Sequence, residues 1–132
     1  QSADGKTVMT TQPRFIPNEA VKISVADKIN LKVRMIDCVG YLVSGAMGTK
    51  ENNKPRLVKT PWSEEEMPFE KAAMFGTKKV MTEHSTIGIV VTTDGSVTDL
   101  ERGSYVEAEE QIIQDMKGTG KPFVVVLNTK NL

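Results

Sequence analysis

The sequence predicts an α/β fold with a mostly parallel sheet and one antiparallel edge hairpin. Three observations carry this expectation. Apolar residues alternate through Ala20 to Val25 and again through Leu31 to Met35, with Ala26-Asp27-Lys28 as the turn between them, which is the period of a half-buried antiparallel pair. Two continuous apolar runs, Ile87 to Val91 and Phe123 to Leu127, have the character of strands buried on both faces of a parallel sheet. Helical three-and-four spacing precedes the first run and separates the two, so the order is hairpin, helix, strand, helix, strand with right-handed crossovers.

At 132 residues the chain fits a single domain spanning residues 1–132, long enough to bury a core. Seventeen basic and seventeen acidic residues cancel, and no long basic run is present of the kind that tracks nucleic acid or anchors to a charged membrane. Nucleic acid is therefore not an expected partner. The lone Cys38 forms no internal disulfide and suits a reducing cytosol. Nothing reaches the roughly 18 apolar residues of a membrane span, and the polar start QSADGKT has no signal-peptide core. Gln1 is not an initiator methionine, so the chain is expected to be part of something longer.

In chain order, residues 1–18 read as a polar loop containing Pro13, Pro17 and the doublet Thr10-Thr11. The hairpin follows. From Tyr41 to Pro68 the pattern dissolves into glycines, asparagines, prolines and the acidic run Glu64-Glu65-Glu66, a length typical of lids and switches; Trp62 is read as its local anchor. Pro68 opens a helix over 69–83, with Phe69, Ala72, Ala73, Gly76 and Val80 on one face and His84 as a structural cation at its end. Ser104 and Glu107 have capping-box spacing ahead of the stripe Tyr105, Ala108, Ile112 and Met116, and Gly118 is the expected left-handed stop. Glu107, Glu109 and Glu110 are read as the solvated face of that helix.

The residues that carry chemistry lie at strand ends. Asp37-Cys38-Val39-Gly40 is D-x-x-G, an acid at the carboxyl end of a strand followed by a glycine whose backbone can approach a ligand closely. One reading is a turn-forming acid. The other is the Walker B and switch II arrangement of nucleotide hydrolases, in which Asp37 holds Mg²⁺ through water and the Gly40 N–H meets a terminal phosphate. Asp37, Asp94 and Asn128 all fall at strand carboxyl ends, where open α/β sheets bind ligands, and this favours the second reading.

A threonine loop, a hairpin ending in D-x-x-G, a loop and helix, and two buried strands flanking a helix together resemble the middle of a P-loop GTPase domain, a three-layer sandwich. The P-loop and first strand of that fold are not in this chain. The likeness makes residues 1–18 switch I-like and 41–68 switch II-like, with Thr10 or Thr11 contacting Mg²⁺ and the γ-phosphate. The stretches GKTVMTTQPRFIPN, MIDCVGYLVSGAMG, TPWSEEEMPFEKAAMFGTKKVMTEHSTIGIVVTTDGS and YVEAEEQIIQDMKGTGKPFVVVLN further resemble the stage IV sporulation protein A family of endospore-forming bacteria.

That resemblance implies a cytoskeletal ATPase descended from GTPases, which binds ATP and Mg²⁺ and polymerises with itself into the basement layer of the spore coat. It implies a place in the mother-cell cytosol at the forespore outer membrane. Other coat morphogenetic proteins and a small amphipathic membrane-surface peptide are implied partners, through regions outside this chain. Asp37, Thr10 and Thr11 become the catalytic residues, with Asp37 and Thr11 toward the metal and Gly40 and Asn128 toward the nucleotide.

Three departures accompany the resemblance. No G-x-x-x-x-G-K-[ST] occurs, so the piece alone is not expected to hydrolyse ATP. Asn128-Thr129-Lys130-Asn131 places Asn where a guanine-reading motif needs aspartate, and the following frame places Leu132 there, which implies ATP or little base selectivity. Tyr41 stands where many GTPases have a water-orienting glutamine, and either orients water or packs over the switch. An inert scaffold with a GTPase-like fold and a guanine-nucleotide switch are the alternative readings. Without a central strand the sheet is expected to expose edges, so that the fragment keeps an N-terminal piece or associates.

Overall fold

The computed structural model describes residues 13–46 and 49–131. The expected hairpin is present as β1 (Arg14–Ala26) and β2 (Ile29–Asp37), paired antiparallel from Arg14 opposite Asp37 to Ala26 opposite Ile29. Strand β1 begins earlier than the sequence suggested, because residues 14–16, read as loop, pair with β2. Pro17 has no N–H to give a ladder. The structure accommodates it in an irregular stretch, where the register passes from Ile16 opposite Met35 to Val21 opposite Val33.

The interval read as patternless contains two small hairpins. Strands β3 (Lys50–Glu51) and β4 (Lys54–Pro55) meet across Asn52 and Asn53, both at positive φ, the geometry of a two-residue type I′ turn that asparagine tolerates. Strands β5 (Leu57–Thr60) and β6 (Ser63–Pro68) pair across Pro61-Trp62, and Val58 and Thr60 alternate inward from Leu57 and Lys59. The Trp62 ring stands 5.8 Å from Phe75, so Trp62 is the anchor expected of it.

Helix α1 (Phe69–Lys79) starts directly after Pro68 and buries Phe69, Ala72, Ala73, Gly76 and Thr77. It continues into a π-helical turn, Val80–His84, closed by the Ser85 N–H on the Val80 carbonyl. The cation at this terminus is Lys121. Its ammonium donates to the carbonyls of Met81, Thr82 and Ser85 at 2.7–2.8 Å, whereas His84 is exposed.

Strand β7 (Gly88–Thr93) and strand β8 (Phe123–Asn128) form the parallel pair, in register from Gly88 opposite Phe123 to Thr93 opposite Asn128. Helix α2 (Gly103–Gly118) joins them. Its N-cap is Arg102 and no side chain caps it, so the expected capping box does not form: the helix begins a residue before Ser104, which is already inside the first turn. At the far end Thr119 is still right-handed, and Gly120, at φ +69°, takes the left-handed position expected of Gly118.

Two apolar clusters result. Val58, Phe69 and Ala72 gather Val39, Leu42 and Met67, and Met81, Val90 and Met116 gather Ile112 and Phe123. Burial of β7 and β8 on both faces is not observed. Val90 is buried, while Ile89, Val91, Val124 and Val126 share an exposed face. Nor is there one continuous sheet among the described residues. The strands form four two-stranded sheets, because β2 does not pair with β7 and runs instead into a segment that packs on the helices.

Candidate functional site

Asp37 is the last residue of β2, exposed, and its carboxylate takes no hydrogen bond or ion pair among the described residues. The chain then turns inward. Val39 and Leu42 enter the cluster around Phe69, which anchors the segment after Asp37 while leaving the carboxylate outside. Cys38 is half-buried; burial pushes its thiol up, against the lowering influence of the nearby Thr77 hydroxyl and Gly40 amide, so it is not an activated nucleophile.

Gly40 lies at φ +81°, and a side chain added there would meet nothing within 4 Å. Its N–H donates to Thr77 Oγ1 at 3.1 Å, and the Thr77 hydroxyl donates in turn to the Ala73 carbonyl at 2.8 Å. Thr77 is 2% exposed. A hydroxyl on the buried face of a helix has to find partners, and Thr77 stands four residues after Ala73 on the very face that the spacing marks as inward. That was the signal for a residue the motif alone does not reveal.

Tyr41 packs rather than facing the strand end. Its hydroxyl donates to Asp115 Oδ2 on α2, and burial first, then that carboxylate, push the phenol well above the ordinary tyrosine range. Lys78 approaches the same oxygen at 3.4 Å and Gln111 donates to Oδ1 at 3.3 Å. Burial alone would raise the Asp115 carboxyl, but the Tyr41 and Gln111 hydrogen bonds and the Lys78 charge outweigh it and hold it below its usual range.

A second polar group lies where β7 and β8 end. Asp94 accepts from the Ser96 hydroxyl at 2.6 Å and from the Ser96 N–H at 2.9 Å, from Thr129 Oγ1 at 2.6 Å and from Asn131 Nδ2 at 3.2 Å. These bonds, Ser96 first and Thr129 next, hold its carboxyl well below the usual carboxylate range. Asn128 is the exposed last residue of β8, and its side chain joins none of them. Beside this group, Arg102 grips Glu109 with both terminal nitrogens, at 2.6 and 2.8 Å, and Glu109 is held below its usual range by Arg102 and then Thr92. Glu109 is thus paired rather than part of a solvated face; Glu107 and Glu110 are exposed as expected.

Of the residues singled out by the sequence, the structure connects Gly40 to α1 and Tyr41 to α2, leaves the Asp37 carboxylate joined to neither, and brings Asp94 together with the loop after Asn128. Thr10 and Thr11 lie outside the described residues. Among the described residues no three His, Cys, Asp or Glu side chains gather as a metal cage. Magnesium commonly takes one or two protein carboxylates and completes its shell with phosphate and water, and Asp37 offers an exposed carboxylate at a strand end.

An exposed strand-end carboxylate and, three residues on, an inward-turned glycine amide are thus set on an α/β framework. The family model for the ATPase domain of stage IV sporulation protein A matches residues 1–132. The chain belongs to that family. It is 62% identical over 129 residues to stage IV sporulation protein A of Clostridioides difficile (strain 630), and 53% and 51% identical to the proteins of that name from Bacillus subtilis (strain 168) and Bacillus anthracis. Each alignment covers 98% of this chain and 26% of the relative, so the chain spans about a quarter of the curated relatives it matches. No solved structure matches it.

Proposed function

We propose that the chain is the switch and sheet portion of an ATP-hydrolysing protein whose nucleotide cycle drives its own polymerisation into the basement layer of the spore coat. The observation that carries this reading is the exit of β2: Asp37 exposed at the strand end, and Gly40 three residues on, with open space beside its left-handed backbone. Asp37 and Thr11 or Thr10 would hold Mg²⁺, and the Gly40 N–H would bind the terminal phosphate. Magnesium, when bound, neutralises charge on the phosphate oxygens. Asn128 lies toward the base. Asn131, in the place where guanine recognition needs an acid, donates its amide to Asp94, which supports ATP over GTP.

The test is nucleotide turnover by the full-length protein, wild type against Asp37→Ala and Thr10→Ala/Thr11→Ala, with ATP and GTP. Mg²⁺-dependent ATP turnover falls by about two orders of magnitude in the variants, the scale for removing one transition-state contact. Polymerisation and hydrolysis both intact in Asp37→Ala would overturn the reading. No turnover of either nucleotide by any variant would favour the inert scaffold, and a preference for GTP the guanine switch.

A further inference from the structure

Gly40 has one amide proton, and in this structure Thr77 holds it. We propose that Thr77 is a competing acceptor built into α1, so that a terminal phosphate reaches the Gly40 N–H only by displacing the Thr77 hydroxyl. The proposal rests on the reading of Gly40 given under Proposed function.

The geometry makes Thr77 a fixed acceptor. Its proton is committed to the Ala73 carbonyl at 2.8 Å, so an oxygen lone pair faces the Gly40 N–H at 3.1 Å. It is 2% exposed, on the buried face of α1, and water does not replace it freely. The segment is steadied on both sides of the glycine, by Val39 in the Phe69 cluster and by Tyr41 on Asp115. One N–H does not serve two acceptors at full strength. A phosphate oxygen, being charged, is the stronger partner, so it wins the proton while its net gain is lessened by the neutral bond it breaks. Thr77 therefore acts as a positioning residue that weakens binding of the triphosphate relative to the diphosphate, which has no group to take the Gly40 proton.

The experiment uses the full-length protein and two readouts. The first is amide hydrogen exchange, without nucleotide, of the peptide containing Gly40. Thr77→Val, which keeps the shape and removes the acceptor, speeds exchange there, whereas Thr77→Ser does not. The second is the affinity for a slowly hydrolysed ATP analogue divided by that for ADP. Thr77→Val raises this ratio about three- to tenfold, the net strength of a neutral hydrogen bond, and Thr77→Ser leaves it near the wild-type value. Thr77→Ala repeats both measurements in case the valine disturbs the helix. Unchanged exchange, an unchanged ratio, or a serine variant that behaves like valine overturns the inference. A wild-type protein that binds neither nucleotide overturns the nucleotide reading itself, while the exchange arm still reports on the Gly40–Thr77 contact.

Discussion

Tyr41 and Asp115 are 74 residues apart in sequence, and the hydroxyl of one donates to the carboxylate of the other. The bond fastens the segment leaving the D-x-x-G motif to the last turn of α2. Tyr41→Phe keeps the ring and removes the donor. Loss of about 1–2 kcal/mol in denaturant unfolding is expected, since the acceptor is charged yet retains Lys78 and Gln111. Ultraviolet titration gives an independent check: the phenolate signal that emerges far above the ordinary tyrosine range disappears in the variant.

Lys121 closes the π-helical end of the first helix through three carbonyls. Lys121→Met retains the aliphatic stem and leaves those carbonyls without their cation. It costs about 1–3 kcal/mol of folding stability. His84→Gln, at an exposed position of the same turn, changes stability by less than about 0.5 kcal/mol.

Gly88 marks the close approach of β7 to α2. A methyl added there would lie 2.3 Å from Met116 Cε and 3.1 Å from Phe123 Cβ, and Met116 is itself buried. Gly88→Ala therefore destabilises by about 1–3 kcal/mol through overpacking, measured by thermal unfolding. Shortening the obstructing side chain in Gly88→Ala/Met116→Leu recovers part of the loss.

Asp94 makes stability depend on pH with a definite sign. Its carboxyl titrates lower in the folded chain than in the unfolded one, so its contribution is fully present above the ordinary carboxylate value of about 4 and is lost as pH falls below it. The difference in unfolding stability between wild type and Asp94→Asn is widest near neutral pH and narrows on acidification. A difference that stays constant down to about pH 2 would mean that the network does not depend on the charge.

The elements with a strong apolar pattern were legible in the sequence: the hairpin, both helices and both apolar strands all appear, but the half-burial expected of the hairpin does not, since β1 is exposed throughout and β2 nearly so. Strands β3 to β6 were not, since two- to six-residue strands carry too few alternations to stand out from turn residues; the Asn52-Asn53 pair was their one local sign. Caps were misplaced by a residue or two for a similar reason. Ser104 had the right neighbours, but the Arg102 grip on Glu109 and a start at Gly103 decided the terminus. At the site, Asp37 and Gly40 could be read from a tetrapeptide. Thr77 was marked only by its place on the inward face of α1, and Asp115 and the Thr129 and Asn131 partners of Asp94 not at all, because these contacts depend on which distant elements the fold brings within 3.5 Å.

Gly40 is also a joint. It lies three residues beyond a nine-residue strand, which at its ordinary rise measures roughly 30 Å. Any torsion there is multiplied by that length: about 10° of rotation carries the Asp27-Lys28 tip through roughly 5 Å. The packing of Val39 and the Gly40 hydrogen bond to a single helical hydroxyl together hold that angle, so the direction of the exposed hairpin is set by a few contacts at its base.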